Sequence, residues 1–183
     1  MQNRKYRTKL VAFLSQYDFT EFLTLTENYD KDLSLYAKGG QSTVRKDSFW
    51  SKVKTFFRHL SIRVYGTGRN RHKRIQHATF FEDKDIHGGP THIHCHSLVI
   101  IEPEFRERFM KYARTEWMKL NRITHMIRRT TPLNGDYLFS GFDIQYIYEI
   151  YGVCNYVTKY YDHSDFVPII ELQDRKRLIA NSA

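Results

Sequence analysis

Only two cysteines, Cys95 and Cys154, occur in the 183 residues. That is too few for a disulfide framework, and they lack zinc-finger spacing, so a reducing, cytoplasmic setting is expected. No run of eighteen apolar residues is present, which argues against a membrane span. The basic start Met1-Gln2-Asn3-Arg4-Lys5-Tyr6-Arg7 has no apolar segment behind it, unlike a signal peptide. Repeats, low-complexity blocks and Pro/Gly-rich linkers are also missing. Residues 1–183 therefore read as one domain, with a core at 18–163 and a C-terminal tail at 164–183. There is no G-x-x-x-x-G-K-[ST] loop, so no nucleotide-driven motor is expected within the chain.

What the chain does have is aromatic residues, at 15%, within a hydrophobic fraction of 41%, enough for a packed core. The net charge of +9 is confined to one place. Between residues 41 and 77, ten bases (Arg45, Lys46, Lys52, Lys54, Arg58, Arg63, Arg69, Arg71, Lys73 and Arg74) face one acid, Asp47, and ten minus one is the whole excess. Arg69, Arg71, Lys73 and Arg74 follow Gly66-Thr67-Gly68 and read as an exposed basic loop. So localised a patch points to a polyphosphate partner, with a solvated charged face as the plain alternative.

Periodicity gives the elements. Residues 19–27 alternate as a strand, and 43–60 carry the apolar stripe of a helix at Phe49/Trp50, Val53, Phe56/Phe57 and Leu60. Strands are predicted at 75–82 and 92–101, joined by a loop at 83–91 that contains Gly88-Gly89-Pro90. A helix follows at 102–121, then a strand at 139–148 and a helix at 150–161. The order β-α-β-β-α-β-α predicts an α+β fold, a ferredoxin-like antiparallel sheet with helices on one face.

Two constellations carry chemistry. In Thr91-His92-Ile93-His94-Cys95-His96-Ser97, the three histidines share one face of a strand and could hold a metal ion. On the last helix, Ile150, Val153, Cys154, Val157 and Tyr161 form the core stripe, whereas Tyr156, Lys159, Tyr160 and His163 form a second stripe off it. A phenol becomes a useful nucleophile when a neighbouring cation favours its phenolate, which is what Lys159 is placed to do. Half-buried amphipathic rings are the plain alternative.

Phe22-Leu23-Thr24-Leu25-Thr26, then His94-Cys95-His96, then Tyr156-Val157-Thr158-Lys159-Tyr160 stand in the order of a known signature. Over residues 20–161 the chain resembles the HUH endonucleases, the rolling-circle replication initiators and related transposases. The paired tyrosines are similar to the two-tyrosine (Tyr-x-x-Lys-Tyr) branch, found in initiators of some single-stranded-DNA phages and in Helitron-type transposases. The resemblance implies a metal-dependent enzyme that nicks and joins single-stranded DNA through a covalent 5′-phosphotyrosine, the catalytic tyrosines lying on the late helix. It implies His94 and His96 as the primary metal pair, with His92 and His94 as the competing pair. Glu82 would be the third ligand, with Asp83 and Asp85 as alternatives. Tyr156 would attack first and Tyr160 second, with Lys159 as an electrostatic aid. Mn²⁺ or Mg²⁺ suits this ligand set, and zinc is chemically possible. The basic segment would track the backbone of single-stranded DNA or of an origin hairpin. Unwinding and synthesis would fall to a host helicase and polymerase, in a prokaryotic host of a phage, plasmid or mobile element. The competing readings are a non-catalytic nucleic-acid-binding module, a water-activating metal nuclease, and a transposase or relaxase of the same superfamily.

Overall fold

The computed structural model describes residues 2–26, 42–84, 90–121, 127–131, 135–139, 141–159 and 168–173. Helix α1 spans Gln2–Leu14, strand β1 Glu21–Thr26, helix α2 Ser42–Tyr65, β2 Gln76–Lys84 and β3 Pro90–Ile100. A single 3₁₀ turn, Pro103–Phe105, leads into α3, Arg106–Leu120. Strands β4, Ile127–Thr131, and β5, Gly135–Phe139, form a separate hairpin. The described chain closes with β6, Phe142–Tyr146, α4, Ile150–Val157, and β7, Ile169–Glu171.

The α+β class expected from the sequence is found. The main sheet has the order β6-β1-β3-β2-β7, and every pairing in it is antiparallel. β3 lies at its centre, flanked by β1 and β2. That position explains its composition: Leu98, Val99 and Ile100 run on without alternation because a central strand is covered on both faces.

The expectation of helices on one face is corrected. Leu23 and Leu25 of β1, Phe81 of β2 and Ile93, Cys95 and Val99 of β3 pack under Phe49, Val53, Phe56 and Leu60 of α2 and Phe109, Ala113 and Trp117 of α3. The opposite face carries Ala78, Phe80 and Leu98, packed with Val11 and Leu14 of α1 and Cys154 and Val157 of α4. β2 and β3 present apolar residues at both parities, so one layer of helices would leave one of the two faces wet.

Three boundaries also differ. Helix α2 continues one turn past residue 60, through buried Val64 and Tyr65, and stops where Gly66 takes φ 78° and its N–H reaches the Ile62 carbonyl at 2.8 Å. The strand expected at 139–148 begins at Phe142; Phe139 belongs to the hairpin. Helix α4 ends at Val157 because Thr158 Oγ1 donates to the Cys154 carbonyl at 2.8 Å, and Lys159 N–H bonds to Tyr156 O at 3.1 Å in a tighter turn. Among the described residues no helix is long and apolar enough to cross a membrane.

Candidate metal centre

The β2–β3 register sets Glu82 directly across from His94, and the β1–β3 register sets Thr24 across from His96. Positions of the same parity share a face, so Phe22, Thr24, Glu82, His94 and His96 all project toward the α1/α4 side. Apolar residues of that face lie toward one end of the strands, and the ionisable ones gather toward the other.

His94 Nε2 donates to Glu82 Oε2 at 3.2 Å, and His96 Nε2 lies 3.5 Å from Glu82 Oε1. One ligand atom from each of the three lies within 4.8 Å of the others, so the group could hold a metal ion. Adjacent donors around an ion bound at about 2.1 Å sit about 3 to 3.4 Å apart, close to these spacings. A second observation favours the fit. Glu82 Oε1 and His96 Nε2 are both buried and neither has a hydrogen-bond partner, a costly arrangement that a shared cation would relieve.

The surroundings tune the donors. Burial pushes the Glu82 carboxyl up, but the His94 hydrogen bond and the charges of His96, His94 and Lys159 outweigh it and hold the group below its ordinary value. Burial holds His96 down at about 4, against the pull of the Glu82 carboxylate. At neutral pH His96 is therefore an uncharged imidazole, the form that ligates. Thr24 Oγ1 lies 3.1 Å from His96 Nδ1. With Nδ1 donating to that hydroxyl, the Nε2 lone pair faces Glu82. Phe22 stacks on the same ring, centroids 5.2 Å apart at 16°.

Tyr156 stands against this group. Its ring centroid is 5.2 Å from that of His96 and 6.0 Å from that of Phe22, and the side chain is 46% exposed. Lys159 Nζ lies 3.7 Å from the Tyr156 ring centre and 3.7 Å from Glu82 Oε1. The sequence places Lys159 on a helix; the structure puts it in the turn just after one, from which it bridges the phenol and the carboxylate.

Comparison with protein-family models, with curated proteins and with solved structures finds no match to this chain. The site therefore stands on its own geometry.

Helix α4 is held at both ends. The Glu149 carboxylate accepts from the N–H groups of Tyr151 and Gly152, a cap for the first turn. Gly152 makes room for it, since a Cβ there would crowd Glu149 Oε2. At the other end Arg7 of α1 donates to the Asn155 carbonyl at 3.0 Å, next to Tyr156.

Of the sequence-predicted residues, Glu82, His94, His96, Tyr156 and Lys159 come together. The backbone of His92 lies on β3 with the parity of His94, but its side chain is outside the described residues, as are Asp85, Tyr160, His163 and the side chain of Asp83. Arg69, Arg71, Lys73 and Arg74 are not brought to the centre. They precede β2 at Gln76, and from Gln76 to Glu82 the strand rises about 20 Å. Lys73 is engaged there with Glu102 at 3.0 Å and with the ring of Phe105. Sequence reasoning assigned no role to Phe22, Thr24 or Arg7. The alternation of Phe22, Thr24 and Thr26 opposite a histidine strand was the available signal for the first two.

Proposed function

We propose that this chain is a metal-dependent, HUH-type enzyme that cuts single-stranded DNA with Tyr156 and keeps the 5′ end covalently bound. The observation that carries the reading is one juxtaposition: a carboxylate and two imidazoles within 4.8 Å, with Tyr156 against His96 and Lys159 between phenol and carboxylate. A structural core would need neither orphaned ligand atoms nor a half-exposed tyrosine beside them. The strand order supports the ferredoxin-like reading: counting β1, β2, β3 and β6 as first to fourth, they lie in the order fourth, first, third, second.

Glu82, His94 and His96 would hold a divalent cation, Mn²⁺ or Mg²⁺, which supplies Lewis-acid polarisation of a non-bridging phosphate oxygen. Lys159, over the Tyr156 ring and beside Glu82, would supply positive charge to the phosphate under attack, and the phenol proton leaves to solvent. The Tyr156 oxygen forms a bond to phosphorus while the bond from phosphorus to the 3′ oxygen breaks. The electron pair stays on that oxygen, which takes up a proton as a free 3′-hydroxyl. One phosphate ester replaces another, so attack by a 3′-hydroxyl reverses the step and rejoins a strand. Tyr160, beyond the described residues, would be the nucleophile for a second cut.

The test uses single-stranded oligonucleotides labelled at the 3′ end, incubated with the chain and Mn²⁺. A labelled protein band that survives boiling in SDS is expected. Tyr156→Phe should lower its yield by at least about 10²-fold, and His96→Ala should abolish the metal dependence. Cleavage with no covalent band would overturn the tyrosine mechanism in favour of an activated water. Binding without cleavage would favour the non-catalytic module.

A further inference from the structure

The basic segment finds no place in the metal centre, yet part of it converges elsewhere. Between α2 and the edge strand β7 lies a cleft of about 330 Å³ lined by Lys54, Thr55, Phe57, Arg58, Ser61, Arg74 and Glu171. At about 30 Å³ per water it holds roughly ten, enough for a phosphate and part of a flanking sugar. Lys54 and Arg58 stand one turn apart on α2, with the Lys54 ammonium 4.2 Å from the centre of the Trp50 ring; Arg74 lines the cleft from the loop before β2, where its Nη1 donates to the Arg71 and Lys73 carbonyls at 2.9 and 2.8 Å. Like charges at that helical spacing mildly destabilise a helix, and three bases lining one cleft give it a positive potential that attracts an anion. Phe57 forms an apolar wall. Ser61 is spent structurally, donating to Phe57 O at 2.7 Å and accepting from Ile75 N–H at 3.0 Å, which leaves Thr55 as the hydroxyl donor.

The one acid has another partner at hand. His77 is 0% exposed, stacked on Phe57 at 3.6 Å between centroids, with Nδ1 2.9 Å from Thr79 Oγ1. Its Nε2 has no hydrogen-bond partner and faces Glu171 Oε2 at 3.8 Å. The register sets His77 across from Glu171, so a shift of well under 1 Å would join them and turn the carboxylate into the cleft wall.

We infer that this cleft is a phosphate-binding site, separate from the metal centre and on the opposite face of the sheet, in which Lys54, Arg58 and Arg74 grip a phosphodiester. It serves to hold a length of nucleic-acid backbone while chemistry proceeds elsewhere. The same chemistry would accept free phosphate, and the experiment separates the two sources.

A fluorescent twenty-nucleotide oligothymidylate is titrated with the full chain in EDTA over a range of salt, using the parent, the double variant Arg58→Ala/Arg74→Ala, and Arg114→Ala. The double variant should bind about tenfold more weakly and flatten the log–log salt slope by about 1.4, at roughly 0.7 per lost phosphate contact on single strands. Arg114→Ala, which removes an exposed base of α3 outside both sites, should match the parent, and Glu171→Gln should bind more tightly. In parallel, thermal unfolding is followed in phosphate and in chloride at equal ionic strength. Stabilisation by phosphate that the double variant loses, with oligonucleotide binding unchanged, would assign the cleft to the free anion. A double variant equal to the parent in both measurements would overturn the site. Both arginines lie on the surface, and Arg58→Gln repeats the test should alanine disturb α2. Success or failure here is independent of the metal-centre reading, which the EDTA removes.

Discussion

Against α2 and α3 the sheet presents Leu23, Leu25, Phe81, Ile93 and Cys95, every one buried. The neighbouring residues of the same strands, Phe22, Thr24, Glu82, His94 and His96, face the other way and supply the candidate centre. Two faces one residue out of step on the same backbone thus do different work. Under α2 and α3 the first is close-packed at its centre, with Trp117 edge-on to Phe49 and Phe56 at centroid distances of 6.0 and 5.5 Å. The second is covered by α1 and α4 only in part, which leaves His94 and Tyr156 reachable. Rigidity can be built on one side of a sheet and reactivity on the other, because strand parity separates them without any change of fold.

The comparison can be broken from either side. Trp117→Ala should cost about 3–5 kcal/mol in urea unfolding, while metal affinity below the unfolding transition stays at the parent value; a parallel loss of both would show the faces to be coupled. The next effect is on pH. His77 is buried on the packed face and held down at about 3 by that burial. The unfolded chain takes up a proton near 6.5 and the native one does not until about 3, so stability should fall as pH drops through that window, by about 1 kcal/mol per unit. Urea midpoints at pH 7 and pH 5 test this, and His77→Phe should reduce the difference, leaving the share that belongs to His96. The smallest effect is on the reactive face. Thr24→Val should weaken Mn²⁺ binding about tenfold by isothermal titration, with little change in unfolding midpoint.

Much of this division is legible in the chain. Alternation marked β1, β2 and β3, and the helical stripes marked α2, α3 and α4, because each has a strong apolar period of its own. The grouping of Glu82 with His94 and His96 came from the family resemblance, and the β2–β3 pairing brings the three together. Other features were not legible. Helix α1 escaped notice because Arg4, Lys5, Arg7 and Lys9 dilute the stripe of Leu10, Val11 and Leu14. The β4–β5 hairpin has the polar sequence Ile127-Arg128-Arg129-Thr130-Thr131, although Asn134-Gly135 is a hairpin-turn pair. The second helical layer was signalled by the unbroken aliphatic run of β3, which reads as burial on both faces. What no local pattern could show is that Thr24 meets His96 across 72 residues, or that an arginine of α1 secures the end of α4.

The placement of all three candidate ligands on one hairpin also bears on how the molecule is made. β2 and β3 are joined by a short connection, so Glu82, His94 and His96 meet through contacts of low sequence separation, the kind that form early. Tyr156 and Phe22 reach them only after the chain has closed loops of 60 residues and more, and α4 has docked on α1. During synthesis the tyrosine emerges last, and on the proposed reading the half of the centre that would hold a metal ion is assembled before the half that would cut. If Tyr156 is the nucleophile, a nascent or partly folded chain is therefore unarmed, and the nucleophile arrives only with the completed fold.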